Sequence, residues 1–323
     1  KSLDEAGLDG VIVQDLGVLS ALHQACPDLP LHASTQMSIH RGDAGKLLSE
    51  AGFSRMVLAR EMPADQIAQA VRQSPIEIEM FVHGALCVSQ SGQCLFSSLV
   101  GGRSGNRGEC AQPCRLPYNG KYPLSLSDLS LAAHITELIA SGTASLKIEG
   151  RMKSAYYAAV VTNAYRIALD GLKEFVEAGG NMLDYVPDPA LYAEVDSVSH
   201  REYATGFYFD NPREDSKLVT QPGYMREKAY LAVAEDFDEP MPENLKAIEV
   251  NEDGKLYRFR QRNKLVQGMT AELLTPGKVG IPFTVAELYD GEGVAVESAP
   301  HPSRIFYTRV PFEVKEGDIL RAE

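Results

Sequence analysis

The sequence HGALCVSQSGQCLFSSLVGGRSGNRGECAQPCRLPY occupies residues 83–118 and interrupts a run of alternating strand and helix patterns. This segment, the cysteine loop, contains four of the five cysteines of the chain, with the spacing C-x6-C-x15-C-x3-C: Cys87, Cys94, Cys110 and Cys114. A zinc ribbon normally presents its ligands as two C-x2-C pairs, so this spacing is too irregular for one. The pattern leaves open two disulfides, an iron–sulfur cluster, an unusual zinc site or free buried thiols.

The composition of the chain narrows these alternatives. Its 323 residues are 44% hydrophobic, and they contain neither a signal-peptide pattern nor an apolar run that could span a bilayer. We therefore expect a soluble cytoplasmic protein with no membrane partner, in a compartment that keeps thiols reduced. Disulfides are thus disfavoured, whereas iron–sulfur clusters and zinc both accept thiolate ligands. The fifth cysteine, Cys26, is interpreted as a small buried apolar residue.

The net charge of −13 and the pI near 5.1 bear on possible partners. A protein that coats nucleic acid depends on many phosphate contacts, so this acidity argues against such a general role. An acidic chain can still bind RNA through a local basic patch. Ordinary solubility is the simplest reason for the acidity.

Short apolar strands alternate with amphipathic helices over the first half of the chain. The pattern predicts strands at 11–13, 30–33, 55–59, 76–82 and 145–148, and helices at 16–25, 43–51, 64–73, 129–141 and 154–170. Such βα units predict a parallel sheet of α/β class, and their spacing is typical of a (β/α)8 barrel. Only five strands are clear and the chain opens on a helix, so we expect an incomplete TIM-like barrel that carries the cysteine loop as an insertion.

Polar residues follow each predicted strand. In such barrels the active-site residues lie at these C-terminal ends of the strands. Each could instead cap a helix or form a surface ion pair, but as a ring around one mouth they predict an active site. The residues are Gln14 and Asp15, then Ser34, Thr35 and Gln36, then Arg60 and Glu61, then His83, and finally Glu149 and Arg151.

The segment SLKIEGRMKSAYY, residues 145–157, places three cations around one carboxylate. Lys147 lies within the strand, Glu149 and Arg151 lie at its exit, and Lys153 begins the next helix. Cations in this arrangement could bind a phosphate of RNA or the carboxylates of a small acid. A surface charge cluster is the alternative interpretation.

The last third of the chain changes character. From residue 229 onward, short alternating runs with Gly, Asn and Asp turns predict a small all-β barrel domain, 229–323, after a barrel domain at 1–211 and a linker at 212–228. One hairpin carries a basic stripe, which is either an RNA-binding surface or a strand edge protected by cations. The stripe consists of Lys255, Arg258, Arg260, Arg262 and Lys264.

Three long motifs carry a family resemblance. HGALCVSQSGQC with CLFSS, GNRGECAQPCRLPY, and KIEGRMKSAYYAAVVTNAYR resemble the peptidase U32 family, the collagenase-like proteins, and SHREYATGFYF resembles the segment that closes the family's catalytic domain. QRNKLVQGMTAELLTPGK and AVESAPHPSRIFYTRVPF resemble the C-terminal domain of the branch that hydroxylates tRNA. The resemblance therefore implies a prephenate-dependent, Fe–S-containing enzyme that converts wobble uridine of tRNA to 5-hydroxyuridine.

The resemblance also implies roles for individual residues. Cys87, Cys94, Cys110 and Cys114 match the ligands of a 4Fe-4S cluster, and Arg103, Arg107 and Arg115 in the same loop would face the cluster or the RNA. The strand-end positions suggest His83, Glu149 and Arg151 as catalytic residues in a pocket for prephenate, a small dicarboxylic acid, or for the base. The substrate-binding candidates around them are Ser34, Thr35, Gln36, Arg60, Glu61, Lys147 and Lys153, and tRNA is expected on Arg258, Arg260, Arg262 and Lys264.

Two other classes of function remain open: a peptidase, and a non-catalytic Fe–S or RNA-binding accessory protein. The chain contains no G-x-S-x-G nucleophile elbow and no H-E-x-x-H metal helix. A cysteine protease would need one activated thiol beside a histidine. An accessory protein would keep the cysteines but would not need the convergent polar mouth.

Overall fold

The computed structural model describes residues 5–209, 223–235 and 237–323, and the chain divides into two compact units. The first unit comprises Lys1–Met152, Phe175–Tyr185 and His200–Tyr224, and the second comprises Lys153–Glu174, Val186–Ser199 and Met225–Glu323. Most of the predicted linker, residues 212–222, lies outside the described residues. Among the helices described, none combines the length and apolar character that crossing a bilayer requires.

The first unit is built on a sheet of seven strands with helices between them. Five strands run parallel in the order β1-β2-β3-β4-β6, which confirms the predicted βα alternation. The strands are β1 (Val11–Val13), β2 (Leu31–Ala33), β3 (Arg55–Val57), β4 (Glu77–Ala85), β5 (Asp128–Ser130), β6 (Ser145–Ile148) and β7 (Tyr203–Ala204). The helices of this region are α1 (Leu16–Ala25), α2 (Ala44–Glu50), α3 (Ala64–Gln73), α4 (Phe96–Gly101) and α5 (Ile135–Ala140).

The two faces of this sheet differ because side chains alternate along a strand. One face is apolar, with Met56, Ile78 and Met80 all buried. The amphipathic helix α3 likewise buries Ile67 and exposes its polar residues. Burial of these apolar side chains is what stabilises the layered arrangement of helix and sheet. The opposite face of the central strands carries charged side chains, which are described below with the site.

The predicted helix at 129–141 is wrong over its first part. Residues 128–130 form β5, which pairs antiparallel with the end of β4 so that His83 lies opposite Ser130. Leu129 and Leu131 are both buried, and Leu131 donates its N–H to Val82 O (3.0 Å). A short buried segment next to an unpaired strand edge satisfies its backbone groups by pairing with that edge. The helix α5 begins only at residue 135.

The structure confirms the α/β class of this unit but does not confirm a TIM barrel. Within the described residues β1 pairs only with β2, and β6 pairs only with β4, so the pairing does not close. The antiparallel β5, with β7 parallel to it, also departs from an all-parallel barrel. The incomplete barrel therefore stays a prediction.

The second unit contains an all-antiparallel sheet, as predicted for the C-terminal domain. Its strand order is β13-β12-β17-β8-β10-β16-β14, with β9 on β10 and a separate pair β11-β15. Closure into a barrel is not confirmed, because no pairing joins β13 to β14 among the described residues. The strands are β8 (Ala229–Ala234), β9 (Val250–Asn251), β10 (Gly254–Gln261), β11 (Leu265–Val266), β12 (Thr270–Leu274), β13 (Ile281–Thr284), β14 (Leu288–Asp290), β15 (Ser298–Ala299), β16 (Ile305–Val310) and β17 (Ile319–Ala322).

Helices complete the second unit. They are α7 (Ala190–Asp196), α8 (Glu243–Lys246) and most of α6 (Ala155–Glu177), whose last residues belong to the first unit. The segment NLKAIEVN, residues 244–251, is one of the short runs from residue 229 onward that we expected to be strands; it begins as a helical turn and becomes a strand only at β9. One cluster of buried apolar side chains from this sheet forms a hydrophobic core. It includes Phe259, Phe306 and Leu320, each almost completely buried.

A buried ion network joins α7 to the antiparallel sheet. Arg321 on β17 is fully buried and donates two hydrogen bonds to the Glu194 carboxylate, at 2.7 and 2.5 Å. Its Nε also donates to Glu272 Oε2 (2.8 Å), which in turn accepts from Lys228 Nζ (2.8 Å). Because every charge in the network has a partner, removing Arg321 leaves the buried Glu194 carboxylate without its cation, while Glu272 keeps Lys228.

We predict that Arg321→Met lowers the free energy of unfolding by about 3–5 kcal/mol. Arg166→Ala is the matched control, because its i,i+4 ion pair with Asp170 on α6 is more than half exposed. That change should cost less than about 1 kcal/mol. Urea unfolding of the full chain measures both values, and equal losses in the two variants would contradict the role given to Arg321.

Candidate functional site

Ser91, a fully buried residue of the cysteine loop, joins the residues that follow β2 and β3 to that loop. Its hydroxyl accepts the Arg60 backbone N–H (3.1 Å) and donates towards the Glu61 carboxylate (3.0 Å), while its carbonyl accepts the Ser38 hydroxyl (2.5 Å). His40 Nε2 lies 3.6 Å from the same Glu61 carboxylate. The residues after β2 and β3 therefore hold the start of the cysteine loop in place.

Two further contacts fix the middle of the loop. Gln36, after β2, donates from its side-chain amide to Asn106 Oδ1 (3.5 Å). Arg151, after β6, donates to the carbonyl of Arg107 (3.1 Å). Its guanidinium lies directly over Gly108, which has a φ of +69°, and a Cβ at that position would overlap it. The loop thus lies against the same edge of the sheet that the sequence predicted as the mouth.

Glu149 lies between two of the predicted cations at this edge. It accepts from Arg60 Nη2 (3.5 Å) and from the backbone N–H of Arg151 (3.1 Å). The Arg60 guanidinium stacks 3.8 Å from the centre of the Phe81 ring. Burial lowers the pKa of Arg60, and the negative charge of Glu149 partly offsets that effect. The structure therefore brings together Arg60, Glu149 and Arg151, a group that can bind an anion beside a carboxylate.

His83 is fully buried at the end of β4. Its Nε2 lies 3.2 Å from the hydroxyl of Tyr203, and the ring of His200 stacks on the same tyrosine at 4.1 Å. Tyr203 is only partly buried. If His83 acts in catalysis, it must therefore act through Tyr203, and its catalytic role stays a prediction.

Several predicted site residues form hydrogen bonds that stabilise the local backbone. Asp15 caps α1 by accepting the Val18 N–H (2.8 Å), and Ser34 accepts the Gln36 N–H (3.1 Å) at the start of a short turn. Thr35 donates its hydroxyl to the Leu58 carbonyl (3.2 Å). The capping interpretation thus holds for Asp15 and Ser34, while the substrate-binding role of Ser34 and Thr35 stays a prediction.

Lys147 lies within β6, before the strand end, and its partner is a buried carboxylate. It donates to Glu79 Oε1 (2.6 Å), and the same carboxylate accepts from Ser145 (2.9 Å) and from Arg55 (3.3 Å). Burial alone would raise the pKa of Glu79, but Lys147 and these other donors hold it below the ordinary value. Lys147 is therefore engaged in the charged face of the sheet. Lys153 belongs to the second unit, where it donates to the Ser199 carbonyl (2.7 Å).

All four cysteines of the loop are free thiols and partly buried. Burial raises the pKa of Cys87 and of Cys114, and the charges of neighbouring loop cysteines raise both further. Cys94 contributes to the raised pKa of both thiols, and Cys110 contributes to that of Cys114. The Gln112 backbone N–H donates to Cys110 Sγ (3.3 Å). Within the part of the chain that the structure describes, no three His, Cys, Asp or Glu residues are arranged closely enough to hold a metal ion.

Sequence reasoning missed a buried charge cluster beside these thiols. Asp128 on β5 is fully buried and accepts two hydrogen bonds from the Arg201 guanidinium, at 3.1 and 2.7 Å. Arg115 approaches the same carboxylate at 3.8 Å. Both arginines lower the pKa of Cys114, opposing its burial. The only signal in the sequence was the segment SHREYATGFYF, which contains Arg201 but does not reveal its partner.

The proposed RNA-binding stripe is less uniform than the sequence suggested. Alternation along β10 places Arg258 and Arg260 on the face opposite Lys255 and the core residue Phe259. Arg260 forms an ion pair with Glu235, and Lys255 lies 3.0 Å from Glu249. Two of the five stripe cations are thus partly neutralised, while Arg262 and Lys264 are exposed. Their binding of RNA stays a prediction.

Comparison with known families identifies the chain. Residues 1–218 match peptidase family U32, and residues 246–321 match the peptidase family U32 C-terminal domain. The chain therefore belongs to the peptidase U32 family, which confirms the resemblance of the cysteine-loop motifs.

Individual relatives carry different names. The tRNA hydroxylation protein P1 of Bacillus subtilis is 28% identical over 99% of this chain and 76% of its own length. The 23S rRNA 5-hydroxycytidine C2501 synthase of Escherichia coli is 43% identical over 53% of this chain but 28% of its own length. A collagenase of Porphyromonas gingivalis is 31% identical over 51% of this chain and 45% of its own length.

The Glu79 network predicts a pH dependence of stability. The folded-state pKa of Glu79 is lowered, so its contribution is present above the ordinary value of 4.5 and is lost as the pH falls through the folded pKa. Glu79→Gln should therefore flatten the fall in the free energy of unfolding between about pH 5 and about pH 3. Urea unfolding across this range measures the slope. Glu77→Gln is the control, because Glu77 is a half-exposed partner of Arg55. It should change the slope less than Glu79→Gln does.

Proposed function

We propose that this protein is an RNA-modifying hydroxylase that converts wobble uridine of tRNA to 5-hydroxyuridine with prephenate as co-substrate. The observation that carries the proposal is the match to the Bacillus subtilis tRNA hydroxylation protein over 99% of this chain. The match to the rRNA enzyme is higher in identity but is restricted to about half of the chain. Because the similarity to the tRNA hydroxylation protein includes the C-terminal domain, it favours tRNA over ribosomal RNA as the substrate. A tRNA substrate agrees with the predicted cytoplasmic location of the protein.

The number and type of the loop cysteines support a 4Fe-4S cluster, although among the described residues their sulfurs are not gathered into a ligand group. The loop supplies four free thiols, a backbone N–H already points at the Cys110 sulfur, and Arg115 and Arg201 lie beside Cys114. Soft thiolates of this number suit iron–sulfur ligation, and a bound metal would deprotonate thiols that burial otherwise keeps neutral. Cys87, Cys94, Cys110 and Cys114 would hold the cluster, which would supply one-electron chemistry.

The residues at the strand ends would bind the small acid. Arg60 and Arg151 flank Glu149 at the edge of the sheet, and guanidinium groups bind carboxylates in a bidentate manner. Prephenate carries two carboxylates, so it suits a site with more than one guanidinium. Tyr203, hydrogen-bonded to buried His83, could move a proton between this edge and the interior.

Peptidase activity is the second candidate, because the chain is similar to a collagenase over half its length. A cysteine protease needs a nucleophile that is a thiolate near neutral pH, usually beside a histidine. Burial raises the pKa of Cys87 and Cys114, which is the opposite of the shift that such a nucleophile requires. This shift disfavours Cys87 and Cys114 as the nucleophile of a cysteine protease.

The proposal is tested with Cys110→Ser and the matched control Cys26→Ser, which removes a buried thiol outside the cysteine loop. Anaerobically purified full-length protein should contain about four irons and four sulfides per chain, from the 4Fe-4S assignment. Cys110→Ser should lose them and Cys26→Ser should keep them. In a strain that lacks the gene, only the wild type and Cys26→Ser should restore 5-hydroxyuridine in tRNA, as measured by nucleoside mass spectrometry.

Different outcomes separate the candidates. Zinc, or hydrolysis of gelatin by Cys110→Ser at the wild-type rate, would replace the hydroxylase proposal with the peptidase. A cluster that is present without any change in tRNA or rRNA nucleosides on deletion would assign the chain an accessory role.

A further inference from the structure

The helix α4, inside the cysteine loop, presents an apolar face to solvent. Leu99 is 82% exposed, and Leu95 and Val100 are also largely exposed. The other side of the helix is fixed, because buried Ser97 accepts the Ala111 N–H (2.9 Å) and its carbonyl accepts the Arg103 N–H (3.3 Å). The helix is therefore held in place from one side only, and its aliphatic side chains form a small projecting surface.

Two arginines beside this surface lack carboxylate partners. Arg103 and Arg107 lie within the six residues that follow α4 and are exposed, and among the residues that the structure describes neither forms an ion pair. The Arg103 side chain donates from Nε to the Glu109 carbonyl (2.9 Å). Five other arginines of the first unit are paired with carboxylates: Arg41 with Asp43, Arg55 with Glu77, Arg60 with Glu149, and Arg115 and Arg201 with Asp128.

The local charge also differs from that of the chain. Residues 95–121 contain four cations and one acid, whereas the whole chain has a net charge of −13. Unpaired guanidinium groups next to exposed aliphatic side chains complement a ligand that offers phosphates and unstacked bases together. Leucine and similar side chains insert between bases where a strand is not fully stacked.

We infer that α4 and the following arginines form a docking surface for a single-stranded loop of RNA. Leu99 and Val100 contact unstacked bases, and Arg103 and Arg107 contact the adjacent phosphates. This inference rests on the proposed function for the choice of tRNA as the natural ligand. The surface itself consists of side chains other than the strand-end residues and the cysteines.

Leu99→Ser and Arg107→Gln test the surface in different ways. Binding of the full chain to an unmodified tRNA transcript is measured by fluorescence anisotropy over a range of salt concentrations. Leu99→Ser should weaken binding by about tenfold at every salt concentration without changing the slope of log K against log salt. Arg107→Gln should reduce that slope by about 0.7, as expected for one lost contact to a single strand.

Matched controls lie elsewhere in the first unit. Leu47→Ser removes a leucine that is 71% exposed on α2, and Arg72→Gln removes an exposed arginine on α3. Neither should change the affinity or the slope, and thermal unfolding should show that all four variants are folded. Wild-type binding by Leu99→Ser, or equal weakening by Leu47→Ser, would overturn the inference.

A second copy of the chain is the other possible occupant of the surface. Sedimentation that shows a dimer dissociated by Leu99→Ser, with RNA affinity unchanged, would assign the surface to self-association and overturn the inference. The binding assay does not depend on the reaction. Absence of 5-hydroxyuridine in cells would therefore refute the proposed reaction, while the docking surface would still be tested by the affinity measurements.

Discussion

The site depends on the buried hydroxyl of Ser91. The Ser91 hydroxyl accepts a hydrogen bond from the Arg60 backbone N–H and donates one to the Glu61 carboxylate. The backbone carbonyl of Ser91 accepts a hydrogen bond from the Ser38 hydroxyl. A loop with six glycines has a high conformational entropy when unfolded, and such contacts must offset the free-energy cost of ordering it. Because Ser91 is fully buried, loss of its hydroxyl would leave polar groups without a partner in the interior.

A second constraint is electrostatic. The chain is acidic, and most arginines of the first unit are neutralised by carboxylates, some of them deep in the interior. The Asp128 cluster places two guanidinium groups beside Cys114, where positive charge favours a thiolate ligand. Arg103 and Arg107, in the same loop, have no such partner among the residues that the structure describes. The same short segment can therefore serve both as a ligand set and as a surface for a polyanion.

Local patterns predicted most of the first sheet, because strand and helix periodicities depend on neighbouring residues. The bounds of β1, β6, α1 and α3 agree with the predictions. The error at 129–141 has a long-range cause, since β5 forms only because the end of β4 offers an unpaired edge. The ring of strand-end residues was recognised from position, but Asp128, Arg201 and Ser91 were not. Their importance comes from partners that are distant in sequence, which no local pattern reveals.

The most direct test of this account is amide hydrogen exchange of the cysteine loop in Ser91→Ala, with the exposed Ser20→Ala on α1 as the control. Removing the hydroxyl should cost about 1–3 kcal/mol locally and raise exchange in residues 86–118 by about tenfold or more. Exchange elsewhere in the sheet should remain at the wild-type rate, and Ser20→Ala should show no change. Unchanged exchange in the loop of Ser91→Ala would contradict the claim that the strand ends and the cysteine loop form one site.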